Sequence, residues 1–353
     1  MQILYTIQLV LSWLMIIAVL LPFVRSNYWV FKILEYPRYQ KFILCAILFA
    51  GLLWTNDYTD TFSLITLILL GICMLYLAYK ILPYTPLYKK EMENLENGDP
   101  SNQIKLFTAN VFQDNRDYNK LLSQVKEADP DVIFLLETDE GWAKAMNVII
   151  KDYPHCLKEP LGNTYGLLFY SRIPIIYGGV NYLVDEDVPS IEVMLKLESG
   201  KQVKLWGLHP KPPVPQEDLR STAKDKELMK VALMVKKEKV PVIVLGDLND
   251  VAWSHVTELF RKTSGLLDPR RGRGFYSTFS ANHWYMRFPL DYVFCSSDFG
   301  LVDMKRLDYN GSDHFPMFMH LQYHKVMKDV QEEPEADAEE SKEAKEIASQ
   351  PVD

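Results

Sequence analysis

The sequence predicts a membrane-anchored α/β protein with three apolar helices, one large layered domain built on a sheet that is not purely parallel, and an acidic tail. Three observations predict this. Apolar residues are concentrated in the first 82 of the 353 positions. Short apolar runs then alternate with amphipathic stretches up to residue 322. The last 30 residues carry ten acidic and four basic side chains, and the formal charge of −8 for the whole chain argues against a general coat for nucleic acid.

The amino-terminal segment, residues 1–84, is predicted to be a membrane anchor with three spans. Gln2 to Val24 carries no charged side chain over about the length that crosses a hydrocarbon core of roughly 30 Å. A cleaved signal peptide is disfavoured because the basic residues follow the apolar run. Tyr39 to Tyr58 and Phe62 to Tyr79 are the other two candidates. The run within Tyr39 to Tyr58 is short, because its continuous apolar part covers only residues 42–54, so a re-entrant or interfacial helix is the alternative there.

Charges between the apolar runs predict the orientation. The first loop and the chain after the third run are basic, while the second loop carries only acidic and neutral side chains. The basic residues are Arg25, Lys32, Arg38 and Lys41 in the first loop and Lys80, Lys89 and Lys90 after the third run. The positive-inside rule therefore predicts a multi-pass protein of the inner (plasma) membrane, with its amino terminus outside and its large domain in the cytoplasm.

The rest of the chain divides into a polar linker over 85–102, a domain over 103–323 and a tail over 324–353. In the domain, strands are predicted at 104–111, 131–137, 167–170, 191–197, 203–209, 240–245, 290–295, 300–305 and 316–322, and helices at 118–128, 142–151 and 222–239. The runs 191–197 and 203–209 flank a Ser-Gly turn and predict an antiparallel hairpin. The tail has almost no large apolar residues, so we expect disorder, with a helical partner-binding tail as the alternative.

Polar residues recur where the predicted strands begin or end. They are Asn110, Glu137, His209, Asp247, Asn249, Asp291, Asp313 and His314. Any one of them is explained by turn chemistry, but the recurrence favours a site. Mg²⁺ prefers carboxylate and amide oxygens, which Glu137 and Asn110 offer. A histidine beside a carboxylate can hydrogen-bond a phosphate oxygen, which suits His209, and His314 with Asp291.

The segments TANVF, DPDVIFLLE, NTYGLLFYSR, LHP, GDLND, LDYVF and SDHFP, in this order, resemble the endonuclease/exonuclease/phosphatase superfamily over about 220 residues. The resemblance is nearest to bacterial membrane-anchored members. It implies a deoxyribonuclease-like four-layer α/β sandwich of two packed mixed sheets. It also implies Mg²⁺- or Mn²⁺-dependent hydrolysis of phosphoesters, the activity of deoxyribonuclease-like enzymes, abasic-site endonucleases, neutral sphingomyelinases and inositol-polyphosphate phosphatases.

The resemblance also implies roles for the strand-end residues. Asn110 and Glu137 match the metal-site pair, and Asp313 a second carboxylate on the metal side or supporting the histidine. Asp247 matches the residue that activates water, Asn249 a phosphate-contacting amide, and His314 with Asp291 the histidine that faces the phosphate. His209 matches the other family histidine, where abasic-site enzymes carry Tyr. The family often has Gln directly before the metal-binding Glu, where this sequence has Leu136. Asn163 and Tyr165 lie in a variable loop and are expected to contact substrate.

The predicted function is a membrane-tethered phosphodiesterase acting on nucleic acid or phospholipid, with no obligate protein partner. Arg271 lies in the basic run of residues 270–273, which is followed by aromatic residues. That run fits a nucleic-acid backbone, anionic lipid or an ordinary solvated loop. The alternative function is a catalytically silent membrane-anchored scaffold. A transporter is disfavoured because the spans carry almost no charge. The four cysteines are expected to be free thiols.

Overall fold

The structure is a computed structural model that describes residues 2–55, 60–96 and 98–352. The helices in these ranges are α1 (Gln2–Leu20), α2 (Trp29–Ile33), α3 (Arg38–Thr55), α4 (Thr61–Ile81), α5 (Tyr118–Ala128), α6 (Glu140–Ala145), α7 (Thr222–Val235), α8 (His255–Ser264), α9 (Met327–Val330) and α10 (Ala338–Ser349). The strands are β1 (Gln103–Asn110), β2 (Val132–Leu136), β3 (His155–Glu159), β4 (Leu167–Ser171), β5 (Ile175–Asn181), β6 (Ser190–Lys196), β7 (Gln202–Leu208), β8 (Val242–Asp247), β9 (Asp291–Cys295), β10 (Phe299–Arg306) and β11 (Met317–Tyr323).

The strands form two mixed sheets. The first has the order β10-β11-β1-β2-β4-β3, and the second β5-β6-β7-β8-β9. Each sheet contains one parallel pair, β1 with β2 and β7 with β8, and its other pairs are antiparallel. The predicted hairpin is confirmed, because β6 and β7 pair antiparallel.

The two sheets pack face to face, and helices cover the outer face of each sheet, which gives four layers. In β8, Ile243 and Leu245 point into the core between the sheets, while Val242 and Val244 pack on the far side, in the cluster that holds α7 and α8. The first sheet buries its outer face against α5 and α6 in the same way. Because strand side chains alternate between faces, each sheet has two apolar surfaces to cover. The predicted four-layer sandwich is confirmed.

The apolar helices α1, α3 and α4 pack together around a core of their own. Two segments are long and apolar enough to cross a membrane, Ile3–Phe23 and Thr61–Tyr84. The second predicted span forms α3, which has 18 residues. Its first turns hold the buried Arg38 and Lys41, and these polar residues shorten its apolar part. The predicted acidic loop between α3 and α4 lies outside the described residues, apart from Asp60.

The segment between α1 and α3 packs on the α/β domain. The Trp29 backbone N–H donates to the carbonyl of Leu219 (2.9 Å), and the Lys32 ammonium lies 3.1 Å from Asp225. The Arg38 guanidinium donates to the carbonyl of Trp253 (2.7 Å). Two of the four basic residues that predict the orientation of the first loop therefore have partners within the α/β domain.

The linker and the tail differ from their predictions. Met92 is fully buried in the core between the sheets, and Glu91 forms ion pairs with Arg261 and Arg271, so residues 85–96 belong to the domain. The tail is not disordered in the described residues, because α10 packs on α7 and α8 with Ala344 fully buried. Small alanine side chains let α10 pack closely against α7 and α8. The prediction of disorder was therefore wrong, because it rested on the scarcity of large apolar residues.

Candidate active site

The sheet topology brings the strand-end polar residues to one edge of the sandwich. Parallel β1 and β2 both end there, with Asn110 and the residue after Leu136, and parallel β7 and β8 end there with His209 and Asp247. Antiparallel β9 begins there, with Asp291 paired to Asp247. Antiparallel β11 also begins there, directly after the Asp313-His314 segment.

The Asn110 side chain joins the two sheets at this edge. Its amide nitrogen donates to Glu137 Oε1 (2.7 Å) and to Asp247 Oδ2 (3.2 Å). Its amide oxygen accepts from the Phe112 backbone N–H (3.1 Å). Asn110 is buried, and these three hydrogen bonds engage both ends of its amide, so it holds the two carboxylates in a fixed relation.

Glu137 follows β2 with a backbone φ of 57°, a left-handed conformation that is rare for a residue with a long side chain. Such strain, of about 1 kcal/mol or more, is typical of functional sites. The second carboxylate oxygen accepts a long bond from the Gln113 backbone N–H (3.4 Å). Burial raises the pKa of Glu137, and the charge of Asp313 adds to the rise, while the Asn110 hydrogen bond and the charge of His314 oppose it.

Asp247, His314 and Asp291 form a buried chain of hydrogen-bonding groups. His314 Nδ1 lies 2.8 Å from Asp291 Oδ2, and His314 Nε2 lies 3.5 Å from Asp247 Oδ2. Asp247 also accepts from the Asn249 backbone N–H (2.9 Å). Burial lowers the pKa of His314, but the charges of Asp291 and Asp247 outweigh burial and raise it overall. The imidazole therefore carries the proton beside the Asp291 carboxylate, and on its other side lies Asp247, whose pKa burial raises to about 7.

The position directly before Asp247 requires a glycine. Gly246 has a φ of +135°, and a Cβ there would lie 2.0 Å from the carbonyl oxygen of Leu208 on the neighbouring strand. Any side chain would separate β7 from β8 directly before Asp247. The Gly-Asp order of the GDLND segment thus has a packing reason as well as a chemical one.

His209 stays neutral. Burial lowers its pKa to about 3, and the charge of His314 adds to the effect. Its Nδ1 atom is buried without a hydrogen-bond partner among the described residues. The ring lies 5.4 Å from the Tyr165 ring. A buried ring nitrogen without a partner is costly unless a ligand or water fills the place, which favours a contact to bound substrate.

Asn249 follows Asp247 in a left-handed conformation with φ of 49°. Its amide nitrogen donates to the Pro210 carbonyl (3.0 Å), which ties it to the segment after His209. Its own carbonyl accepts from the Tyr36 hydroxyl (2.7 Å). A residue of the segment between α1 and α3 therefore supports a predicted catalytic residue.

The donor set at this edge fits a hard divalent cation. Glu137 and Asp313 offer carboxylate oxygens, and Asp313 Oδ1 is buried without a partner among the described residues. The negative charges of Glu137 and Asp313 repel each other, and a bound cation would relieve that repulsion. Asp247, Asp291 and His314 also place ligand atoms within 4.8 Å of one another. The His314 imidazole is protonated, bonds to Asp291 (2.8 Å) and lies 3.5 Å from Asp247, so the set of Asn110, Glu137 and Asp313 suits a cation better.

The three predicted substrate-binding residues are engaged elsewhere. The Asn163 amide donates to the Asp187 carbonyl (3.1 Å) and accepts from the Tyr165 N–H (3.1 Å). The Tyr165 hydroxyl donates to Glu217 (2.6 Å), although its ring borders His209. Arg271 pairs with Glu91 (3.0 Å). The structure therefore does not bring Arg271 to the site, because nearby carboxylates hold it.

Sequence reasoning missed several supporting residues. The Ser312 hydroxyl donates to the Asn110 carbonyl (2.8 Å) and accepts from the His314 N–H (3.0 Å), so it joins two site segments. Phe279 packs its ring 5.0 Å from that of His314. The position of Ser312 directly before Asp313-His314 was a usable signal. Phe279 and Tyr36 carry no local signal, since only the fold brings them to the site.

The family model described as "Endonuclease/Exonuclease/phosphatase family" matches residues 107–314. No curated protein matches the sequence. Among solved structures, the Beutenbergia cavernae endonuclease/exonuclease/phosphatase is 16% identical with a TM-score of 0.51, over 63% of this chain and 72% of that one. The human Nocturnin catalytic domain with bound sulfate is 16% identical with a TM-score of 0.52, over 66% and 97% of the two chains. D. rerio TDP2 with a single-strand DNA product is 17% identical with a TM-score of 0.52, over 62% and 99%. The match over more than half of the chain shows that this protein belongs to the endonuclease/exonuclease/phosphatase family.

Proposed function

We propose that the protein is a membrane-tethered, Mg²⁺- or Mn²⁺-dependent phosphodiesterase. The observation that carries this proposal is the Asn110 amide, which links Glu137 to Asp247, together with the chain from Asp247 through His314 to Asp291. A buried, connected set of polar side chains, some of which lack partners, lowers the stability of the fold. Such sets are typical of active sites. A silent scaffold would have no use for such a set.

The roles follow from the contacts. Asp247 accepts a proton from the attacking water as the water oxygen bonds to phosphorus. The bond from phosphorus to the leaving oxygen then breaks, and the leaving oxygen takes a proton from a solvent water, which releases an alcohol and a phosphomonoester. Asp247 returns its proton to solvent, which balances the step. His314, held protonated by the two carboxylates, donates a hydrogen bond to a phosphate oxygen and stabilises the developing charge. Asn249 and the neutral His209 orient the phosphate.

Glu137, Asn110 and Asp313 would hold the cation. When bound, a divalent ion neutralises charge on the phosphate and on the leaving oxygen. The protein's own contribution is to hold the side chains that would bind the cation in a fixed geometry. Asn110 holds the Glu137 carboxylate, and the Asp313 backbone carbonyl accepts from the Ala281 N–H (2.6 Å).

The substrate is a phosphodiester, and two classes are supported. The neighbouring D. rerio TDP2 structure contains a single-strand DNA product, which supports nucleic acid. The apolar helices α1 and α4 support a phospholipid, because a tethered enzyme works where lipid is concentrated.

We further propose that α3 spans together with α1 and α4 in an inner (plasma) membrane. The three helices would then leave residues 21–37 and the chain after residue 81 on one side. The contacts of Trp29 and Lys32 with the α/β domain support that arrangement. With the basic residues of the first loop, it favours a cytoplasmic domain.

The test is hydrolysis by the full chain in lipid nanodiscs, with Mg²⁺, with Mn²⁺ and with excess chelator. The substrates are bis(p-nitrophenyl) phosphate, single-stranded DNA, RNA, sphingomyelin and phosphoinositides. The full chain is needed because the segment between α1 and α3 and Met92 pack within the domain. We expect metal-dependent cleavage of at least one class. Equal activity in excess chelator would exclude the metal dependence, and inactivity on every diester would exclude the function.

A further inference from the structure

A loop beside the site exposes three neighbouring apolar side chains. Trp284 is 80% exposed, Tyr285 56% and Met286 46%. The loop is closed at its base, where the Ser280 N–H donates to the Met286 carbonyl (3.0 Å). Exposed large apolar side chains that cluster in this way are characteristic of surfaces that bind a partner or a membrane.

The base of this loop contacts two residues of the candidate active site. The Ala281 N–H donates to the Asp313 carbonyl (2.6 Å), and the Phe279 ring packs on His314. Residues 282–286 therefore form a rim of the active site. Whatever the exposed side chains contact lies next to the place where the phosphate is cleaved.

The same loop contacts the first turn of α3. The Gln40 amide donates to the Tyr285 carbonyl (3.1 Å), and the neighbouring Tyr39 ring lies 5.3 Å from that of Phe275, which precedes the loop. This end of α3 stands beside the end of the other apolar helices, since Arg38 lies over the ring of Tyr76, which belongs to α4. Aromatic and basic side chains at the ends of apolar helices are typical of the boundary between lipid and water.

Two arginines border the loop without a carboxylate partner among the described residues. Arg287 and Arg306 both lie over the Phe315 ring, at 5.1 and 4.4 Å. Neither is in an ion pair in the described part of the chain, although Arg306 donates to the Ser277 carbonyl (2.8 Å). Phe315 directly follows His314. By contrast, Arg270 and Arg271 are neutralised by Asp268 and Glu91.

We propose that residues 282–287 and Arg306 form a membrane-contact surface, which opens the active site onto the lipid boundary and takes its phosphodiester from a lipid headgroup. This inference rests on the proposed phosphodiesterase function and narrows its substrate class. Trp284, Tyr285 and Met286 enter the boundary region, and the two arginines face anionic headgroup phosphates.

The continuity of this surface with α3 favours lipid over nucleic acid. A single-stranded nucleic acid could stack on Trp284, but Met286 offers no ring for stacking. Gln40, which contacts the loop, belongs to the apolar helix α3. Binding to nucleic acid is therefore the competing outcome of the test below.

The activity test compares the parent full chain with the double variant Trp284→Ser and Met286→Ser in nanodiscs of phosphatidylcholine and phosphatidylglycerol. Two rates are measured, release of water-soluble headgroup products from the lipid and hydrolysis of bis(p-nitrophenyl) phosphate. We expect the variant to lose about tenfold or more of the lipid rate and to keep the soluble rate. Val148→Ser, at an exposed apolar position in the outer helical layer, should change neither rate.

Cleavage of single-stranded DNA and the soluble diester without cleavage of lipid would overturn the lipid inference and leave the phosphodiesterase proposal standing. An unchanged lipid rate in the double variant would also overturn it. Inactivity of the parent on every diester would instead contradict the proposed function.

A second measurement tests the surface without activity. An environment-sensitive fluorophore is attached through Met286→Cys, in a chain that also carries Cys156→Ser, because the other three cysteines are buried. Emission shifted to the blue in nanodiscs is expected, and Val148→Cys with the same label should report water. Water-like emission at position 286 would overturn the membrane contact whatever the chain hydrolyses.

Discussion

At the residue scale, strand phase explains why much of the site could be predicted. Ile243 and Leu245 point inward between the sheets, so Asp247, two positions further, points inward at the end of the same strand. In β1, Leu106 points inward, and Asn110, four positions further, points inward at the end of that strand. Polar residues in the inward phase at strand ends therefore identify a site between the sheets. The Tyr36 contact to Asn249 could not be predicted, because it joins residues 213 positions apart.

Tyr36→Phe tests whether the segment between α1 and α3 positions the site. The substitution removes one hydrogen bond to the Asn249 carbonyl, which contributes about 1 kcal/mol. We expect a severalfold lower kcat on bis(p-nitrophenyl) phosphate with little change in KM. Tyr39→Phe, a matched loss of a hydroxyl three residues further on, in the first turn of α3, should leave kcat unchanged. Equal kcat values for parent and Tyr36→Phe would show that the contact is only structural.

Glu227 is a buried carboxyl outside the site. Burial raises its pKa to about 8, Asp185 adds to the rise, and Lys230 opposes it. The folded chain thus keeps a proton that the unfolded chain releases above about pH 4.5, so the group lowers stability as pH rises from there to about 8.

Glu227→Gln should remove that pH-dependent loss. We expect the variant to be more stable than the parent at pH 8.5, by about 1 kcal/mol or more, and nearly equal at pH 4. Thermal unfolding of the full chain in detergent at both pH values measures this. The exposed Glu198→Gln serves as the control. A gain of the same size at both pH values would contradict the explanation.

At the element scale, the tail shows what composition alone omits. Asp337 and Glu340 form a reciprocal capping box at the start of α10, which satisfies its first backbone donors. Ala344, Ile347 and Ala348 follow at helical spacing and pack toward α7 and α8. An ion pair of Glu340 with Lys262 (2.7 Å) and a hydrogen bond between Glu343 and His255 Nε2 (2.8 Å) flank this stripe.

Ala344→Glu should release α10 from the domain. A buried carboxylate without a partner, in a site that fits only a methyl group, costs several kcal/mol, more than a short helix can offset. We expect faster proteolysis after residue 330 and a lower unfolding temperature. Ala338→Glu, at an exposed position of the same helix, should change neither. Unaltered proteolysis of Ala344→Glu would contradict the docking of α10.

Three elements had no usable sequence pattern. β3 and β5 are edge strands; β3 mixes polar and apolar residues on both faces, and β5 contains Gly178 and Gly179. α8 is a short amphipathic helix that follows the GDLND segment, where turn residues dominate the pattern. Central strands were predictable because both of their faces are buried and their apolar runs are continuous.

At the scale of the whole molecule, the orientation remains a prediction. A reporter that is active only in the periplasm should stay silent when fused after Val352, and should be active when inserted after Asp57. The carboxyl-terminal fusion point lies beyond α10, so it leaves the docked tail intact. The reverse pattern would place the domain outside the cytoplasm and would mean that α3 does not span.

The most direct test of the catalytic account is the turnover of Asp247→Asn. The change keeps the shape of the side chain but removes the carboxylate that accepts the proton of the attacking water. With Mg²⁺, we expect kcat on bis(p-nitrophenyl) phosphate to fall by about two orders of magnitude or more, while circular dichroism stays unchanged. Asp303→Asn, on the partly exposed β10, should retain the rate of the parent. Retention of the parent rate by a folded Asp247→Asn protein would contradict the account.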